Sequence, residues 1–228
     1  MTEHGLPFWE QTENVERFAS RPPDKRLEVL LNEYADPAGT RVVDLGCAGG
    51  RNTLLLAESG FDVYAIDASV AMVEHTRRRL RPLFGADGAV GRVWHGRMDD
   101  LGAFDEGSVD VVVALGILQS AESAEEWNGT LTQVARILKP GGRVLVANFA
   151  PGTELKGEPL RPLKGAPHVF EAGETLRFYL LEPAEIDAEM AGHGLRPIAP
   201  TMSVEAAGES GRHITVNAMY EKAPDSAD

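Results

Sequence analysis

The sequence predicts an α/β protein: a Rossmann-like, doubly wound sheet of seven strands, parallel except for the last hairpin strand, with helices on both faces. Three observations carry that expectation. Apolar, strand-like runs alternate with helix-like segments without interruption from residue 41 to residue 149. One of these runs, Val109-Asp110-Val111-Val112-Val113-Ala114, is nearly all apolar, as a strand covered on both faces should be. The first run leads straight into a glycine-rich turn, and an open parallel sheet binds its ligands beyond the carboxyl ends of its strands.

Taken in order, residues 1–40 read as an N-terminal helical cap. Within it, Leu27, Leu30, Leu31 and Tyr34 fall at helical spacing behind Pro22-Pro23, which places a helix over Asp24 to Ala35. Phe8, Trp9 and Phe18, with Asn14, suit an amphipathic segment that packs on the domain or closes over a ligand. Residues 41–149 form the binding core. Its first strand is Arg41 to Leu45, and the helix beyond the turn runs through Ala57 and ends at Gly60. Asp62 to Ile66 is the second strand, and Ser69 N-caps a helix to about Leu80. Val90 to His95 is the third strand and Val109 to Ala114 the fourth. Ser123-Ala124-Glu125-Glu126 is a capping box for a helix that buries Trp127, Leu131, Val134 and Leu138. Pro140-Gly141-Gly142 stops that helix, and Arg143 to Phe149 is strand five.

Beyond 149 the alternation loosens. Residues 150–182 carry Pro151, Pro159, Pro162 and Pro167 and read as a variable loop facing a substrate. Residues 183–228 supply a helix from Pro183 to His193, then strands near 195–204 and 212–221 parted by Gly208 and Gly211 as an antiparallel hairpin. The whole chain reads as one domain.

Composition narrows the partners. With 22 Lys and Arg against 35 Asp and Glu, the 228 residues carry a net charge of −13, which disfavours a nucleic-acid partner. The densest basic runs, Arg77-Arg78-Arg79 with Arg81 and Lys25-Arg26, read as solvated helix faces among acidic neighbours. The single Cys47 excludes an intramolecular disulfide and a multi-cysteine zinc site, and no metal is expected. No apolar run reaches about 18 residues, and Met1-Thr2-Glu3-His4-Gly5 opens no leader-like pattern, so a cytoplasmic protein without membrane contact is expected. Nothing in the sequence specifies a number of subunits.

The chemistry-bearing residues cluster at the first two strand ends. After strand one comes Asp44-Leu45-Gly46-Cys47-Ala48-Gly49-Gly50-Arg51-Asn52, whose glycines let backbone approach a ligand. At the end of strand two stands Asp67, placed to accept both hydroxyls of a ribose. Together these predict a nucleoside site. A dinucleotide fingerprint wants glycine at 46, 48 and 51, and Ala48 and Arg51 fail it. Asp44, two residues before the first glycine, suits a positively charged ammonium or sulfonium. No Gly-Lys-Ser/Thr follows, which removes a P-loop.

These residues resemble the class I methyltransferases that use S-adenosylmethionine. Asp44, Gly46 and Gly50 match the family's first motif, with Ala48 in place of the middle glycine; alanine restricts positive φ, so the same loop is expected with modest adjustment. Asp67-Ala68-Ser69-Val70-Ala71-Met72 matches the second motif, and Val134 through Gly142 the late helix–turn motif. Gly50-Arg51-Asn52 through Gly60-Phe61-Asp62-Val63 looks most like the branch of tellurite-resistance methyltransferases and small-molecule relatives. The resemblance covers about 40–150.

It implies S-adenosylmethionine as cofactor, Asp67 on the ribose, Gly46 to Gly50 with Cys47 and Asn52 towards the methionine end, and Ala68 and Met72 as further contacts. The third motif departs from the family: in Gly96-Arg97-Met98-Asp99-Asp100-Leu101, Arg97 stands where an acid usually meets the adenine amine. The Met98 backbone contact survives that change, and Asp99 or a stacked Arg97 takes over at the purine. Ala114-Leu115-Gly116 would line the methionine end with carbonyls, with Gln119 near.

The implied reaction is an in-line displacement that methylates an oxygen or nitrogen of a small-molecule acceptor. A general base is needed only for a protonated nucleophile, and the sequence does not fix one; His168 and Tyr179 are the candidates, against plain loop and core readings. Ala114-Leu115-Gly116-Ile117 lacks the Pro-Pro-aromatic signature of DNA amino-methylating enzymes, and Ala114 is no magnesium ligand. Cys47 lies in the cofactor loop as a small apolar residue, not a nucleophile. Two other readings stay open: a non-catalytic module that binds S-adenosylmethionine, and an RNA-modifying enzyme of the same fold.

Overall fold

A computed structural model describes residues 7–173, 176–208 and 211–224; the polar start and His4 lie outside them. The chain divides into two compact units, Met1–Met98 with Val109–Val113, and Asp99–Ser108 with Ala114–Asp228.

The first unit opens on a 3-10 turn, Phe8–Glu10, and helix α1, Thr12–Ala19. Helix α2 is Lys25–Leu31, shorter than the sequence suggests. Its N-cap, Asp24, accepts the Arg26 N–H at 2.9 Å. Past Leu31 the amides of Asn32, Glu33 and Tyr34 reach back three residues, so the last turn tightens and the helix stops. Strand β1 is Arg41–Leu45, α3 Arg51–Glu58, β2 Asp62–Asp67, α4 Val70–Arg92, β3 Val93–His95 and β4 Val109–Leu115, the last begun in this unit. β1 lies between β4 and β2, and β3 pairs with β2, all parallel. Val42, Val43, Val111, Val112 and Val113 have no exposed surface. Burial of that kind is worth roughly 1.5–3 kcal/mol per side chain and explains the unbroken valine run.

Helix α4 corrects two expectations. It does not end near Leu80, and β3 does not begin at Val90. The helix breaks at Gly85 (φ 70°, ψ 177°) and winds again through Arg92. Ala89 is fully buried while Val90 is half exposed, the one-sided burial of a helix and not of a strand. Arg79, read from the sequence as part of a solvated face, is held by backbone instead, as is His75 beside it. His75 Nδ1 lies 3.2 Å from Gly49 O, and Arg79 Nη1 donates to Ala19 O and Gly49 O, both at 3.0 Å. Arg77 donates twice to Val93 O.

In the second unit, α5 is Ala124–Ile137, and β5, Leu138–Phe149, begins before the Pro140-Gly141-Gly142 turn. The expected capping box forms by half: Ser123 Oγ accepts the Glu126 N–H at 3.2 Å, but the Glu126 carboxylate takes the Glu122 N–H at 2.9 Å. The loop expected over 150–182 is built from short antiparallel strands. β6 (Glu154–Leu155) pairs with β7 (Glu158–Pro159), and β9 (Val169–Ala172) is flanked by β8 (Arg161–Pro162) and β10 (Leu176–Tyr179). Pro159 and Pro162 end β7 and β8, where no ladder N–H is needed, and Pro151 and Pro167 lie in turns.

Helix α6, Pro183–Gly192, follows, with the Glu185 carboxylate accepting the Glu182 N–H at 2.8 Å. The stretch expected as one strand over 195–204 is two, β11 (Leu195–Pro197) and β12 (Met202–Gly208). Both pair antiparallel with β13, Gly211–Lys222, which also pairs antiparallel with β5. Among the described residues no helix is long and apolar enough to cross a membrane.

Candidate functional site

In the first unit the ends of β1 and β2 bring the predicted loop and carboxylate together. Gly46 and Cys47 both donate their N–H to Ile66 O, at 2.8 and 3.1 Å, which ties the turn after β1 to the last residues of β2. Asp67 then closes the link. Its Oδ2 accepts the Ala48 N–H at 2.8 Å and its Oδ1 the Ser69 N–H at 2.9 Å. Each oxygen keeps a further lone pair for a hydroxyl. Burial pushes the Asp67 carboxyl pKa up and the charge of Glu10 adds to that, while the two backbone bonds oppose it.

Ala48 occupies the left-handed region at φ 47°, between Gly46 (φ 71°) and Gly50 (φ 77°). An L-residue there costs about 1–2 kcal/mol, and bonds at both of its ends offset that cost. Its N–H is on Asp67, and its C=O accepts the Thr76 hydroxyl at 2.8 Å. Gly50 is required by packing as well as by φ, since a Cβ there would stand 2.7 Å from Thr76 Oγ1.

Asp44 is buried at the end of β1, 2 % exposed, with Oδ2 accepting the Thr53 hydroxyl at 2.6 Å. Burial pushes its pKa from 3.8 to about 6, opposed by Thr53 and Arg51 and reinforced by Asp67. The Thr53 backbone bonds the same carboxylate, and a buried carboxylate beside a backbone loop suits a cationic group. Thr53, one turn into α3, is a partner that the sequence reading missed; its spacing of nine from Asp44 carries no motif.

Cys47 is buried, its Sγ 3.8 Å from Thr76 Oγ1, and burial with the charges of Asp67 and Asp44 holds the thiol well above its usual range. A thiol so held is no nucleophile. Asn52 Oδ1 accepts the Asp24 N–H at 3.1 Å, so it joins the start of α2 to the loop helix. Met72 and Met98 are buried, Ala68 and Arg97 exposed.

The N-terminal segment lands on this site. Glu10 caps α4: its two carboxylate oxygens accept the Val70 and Ala71 N–H groups at 2.9 and 3.1 Å. Ser69, the expected N-cap, accepts the Met72 N–H and donates its hydroxyl to Trp9 O at 2.9 Å. No sequence signal pointed to Glu10, because its partner helix starts sixty residues on.

Asp99, Ala114, Leu115 and Gly116 lie in the second unit. Asp99 is half-buried, Ala114 fully buried, and Gly116 (φ 87°) donates its N–H to Ala147 O at 2.8 Å. Gln119 is buried and accepts the Phe149 N–H at 3.1 Å. The two candidate bases of this unit are neighbours. The His168 and Tyr179 ring centroids are 5.7 Å apart, and His168 Nδ1 is 3.8 Å from Glu185 Oε1. Tyr179 is 4 % exposed and stacks on Trp127 at 5.1 Å, so it packs as core; burial and the charges of Glu189, Glu185 and Glu125 push its pKa up.

Comparison with known proteins gives the same outline. A family model described as a methyltransferase domain matches residues 43–146. Three curated relatives align over about half of this chain. The demethylmenaquinone methyltransferase of Clavibacter sepedonicus is 37% identical over 117 residues, 51% of this chain and 44% of that protein. The ribosomal RNA small subunit methyltransferase C of Chromohalobacter salexigens is 34% identical over 125 residues, 54% and 35%. The ubiquinone biosynthesis O-methyltransferase of Xanthomonas oryzae pv. oryzae is 33% identical over 135 residues, 56% and 53%. The chain thus spans only about a third to a half of these relatives' lengths. Among solved structures, the 1,6-didemethyltoxoflavin-N1-methyltransferase of Burkholderia thailandensis, with 1,6-didemethyltoxoflavin and S-adenosylhomocysteine bound, superposes with a TM-score of 0.61. The match is at 18% identity over 93% of this chain and 80% of that one, which establishes the fold.

Proposed function

We propose that the protein is a class I, S-adenosylmethionine-dependent methyltransferase, a reading supported by the methyltransferase-domain match over residues 43–146, and that it methylates an oxygen or nitrogen of a small-molecule acceptor. The observation that carries this is the 2.8 Å bond from the Ala48 N–H to Asp67 Oδ2, which fixes a sugar-binding carboxylate and a close-approach backbone loop on one another. The donor set fits the cofactor: a carboxylate with lone pairs to spare for a ribose, and a buried Asp44 for the amino-acid tail. When bound, the cofactor supplies a methyl carbon already activated by its sulfonium.

The chain's own residues then have three tasks. Asp67 orients the ribose and so aims the methyl group. Asp44, ionised, holds the positive end of the methionine portion. The acceptor's nucleophile has to be held about 3 Å from the methyl carbon, in line and away from water. A nucleophile that carries a proton also needs a base, and His168, backed by Glu185 at 3.8 Å, is our assignment for that role. The contacts assigned to Arg97, Met98, Asp99, Ala114, Leu115 and Gly116 rest on their motif positions alone.

A small acceptor is favoured over RNA by charge. The net −13 repels a phosphate backbone, and Arg77 and Arg79, the core of the densest basic run, are spent on backbone carbonyls. We place the enzyme in the cytoplasm, with the described chain serving as one catalytic domain. Incubation with S-adenosylmethionine and a panel of phenolic, quinol and heteroaromatic acceptors should release S-adenosylhomocysteine with at least one of them. Tight cofactor binding with no turnover on any acceptor would leave a silent binding module instead.

A further inference from the structure

Strand β12 has an open edge. Among the described residues it pairs with β13 alone, and all seven of its residues, Met202–Gly208, are exposed. The backbone N–H and C=O groups on the outer side of such a strand are a template for another strand. Folded chains protect their edges by keeping them short or by placing proline or a free charge in them. β3 is three residues long, and β11 is three and ends on Pro197. β12 is longer and has neither proline nor lysine. Its one charge, Glu205, is spent within the hairpin: its two carboxylate oxygens accept from the Arg212 guanidinium at 2.7 and 2.9 Å.

The strand is also apolar on one face. Met202, Val204 and Ala206 alternate with Ser203, Glu205 and Ala207, so the first three share a side of the sheet. Met202 is 56% exposed and Val204 47%. The register continues that face inward, with Val204 opposite Thr215 of β13 and Thr215 opposite Phe149 of β5. Ile198, also exposed, extends it beside Met219, whose carbonyl accepts the Ile198 N–H at 3.0 Å. In a chain of net charge −13, no acid interrupts this stripe.

We propose that β12 is a self-association edge, pairing antiparallel with β12 of a second copy of this chain about a two-fold axis at Val204. The strand's own side chains select that occupant. With the axis normal to the sheet at Val204, valine meets valine and Met202 meets Ala206 of the copy, large against small on one continuous face. Ser203 then stands opposite Glu205 of the copy, a hydroxyl donor facing a carboxylate acceptor. Moving the axis to Glu205 opposes two carboxylates. Moving it to Ser203 sets Ala206 against Pro200, which has no N–H, and a one-residue slip sets the apolar face against the polar one. The contact uses the same patch on both chains, so it closes at a dimer. An edge contact of this length falls at the small end of protein interfaces, below about 1,200 Å² in total, and implies reversible association in the micromolar range.

The test is sedimentation of the full chain across the micromolar range, where a reversible dimer is expected. Val204→Lys, which opposes two ammonium groups on the axis, should weaken the dimer at least about tenfold. Val204 is exposed, so the melting temperature of the variant should hold and certify its fold. Cross-linking with oxidised glutathione reads the register. Val204→Cys should link to itself, since opposed residues lie about 4.5–5.5 Å apart, within the reach of a disulfide. Met202→Cys alone should stay unlinked, while an equal mixture of Met202→Cys and Ala206→Cys chains should link. The native Cys47 is buried and its thiol pKa is pushed up, so it takes no part. A chain that stays monomeric throughout overturns the proposal, as does a dimer that Val204→Lys leaves intact. Self-linking of Met202→Cys without that of Val204→Cys overturns the strand pairing. Monomers that gather on phosphatidylcholine vesicles, and are released by Val204→Lys, give the stripe to a lipid surface and overturn the dimer.

Discussion

Two carboxylates, Asp67 on β2 and Asp44 on β1, are held in different ways. Asp67 is hydrogen-bonded by two backbone amides, one on each carboxylate oxygen. Its replacement, Asp67→Ala, is expected to weaken S-adenosylhomocysteine at least about tenfold, the loss of a charge-assisted bond worth roughly 1.5–3 kcal/mol. Calorimetry that returned the wild-type affinity would remove the ribose assignment. Asp44 carries a pH dependence. Its folded pKa of about 6 lies above its ordinary 3.8, so between those values the folded chain holds a proton that the unfolded chain has lost. Stability therefore falls as pH rises through that interval, by at most about 3 kcal/mol, and is level above it. Ligand binding has the opposite sign, because only the ionised carboxylate attracts a cation. Affinity for S-adenosylhomocysteine should be flat above pH 7 and decline as pH drops through about 6. Asp44→Asn should flatten that profile and lower the affinity, with the melting temperature at pH 8 unchanged or raised.

At the scale of elements, the loop's shape is imposed by what packs against it. Helix α1 touches Gly49 with no room for a methyl group, and Thr76 of α4 fills the space beside Gly50. Gly49→Ala is thus expected to lift α1 off the loop at a cost of about 1–3 kcal/mol. Amide exchange over residues 12–19 would quicken while β1 and β4 stay protected; unchanged exchange in α1 would show that the helix can shift without release. The same logic explains how far the elements could be read in advance. β1, β2, β4 and α3 were legible because apolar runs and a glycine stop act locally. The length of α4 was not, because the burial of Ala89 that marks the second helical stretch exists only in the folded chain, and a three-residue strand leaves almost no periodic signal. The short strands of 150–182 were hidden for a related reason: prolines at strand ends give the same sequence signal as prolines in a loop.

At the scale of the molecule, ligand binding and folding are linked. A cofactor held by Asp67 and the loop binds the folded chain alone. S-adenosylhomocysteine at a hundred times its dissociation constant should then add about 2.7 kcal/mol, which in a protein of this size raises the melting temperature by roughly 2–4 °C per kcal/mol. NADH at the same excess should produce no such shift, since Ala48 and Arg51 break the dinucleotide fingerprint. A shift with NADH and none with S-adenosylhomocysteine would reverse the choice of cofactor.

By itself the sequence determined the alternation of strands and helices, the glycine turn after β1 and the acid after β2. Each is written in neighbouring residues whose spacing alone creates the pattern. The tertiary structure decided which groups meet around these elements: Thr53 on Asp44, Glu10 on the α4 N-terminus, and Thr76 holding Ala48 in a left-handed turn. Such pairings depend on elements meeting in space, and a side chain that reaches across tens of residues leaves no periodic trace in the order of amino acids.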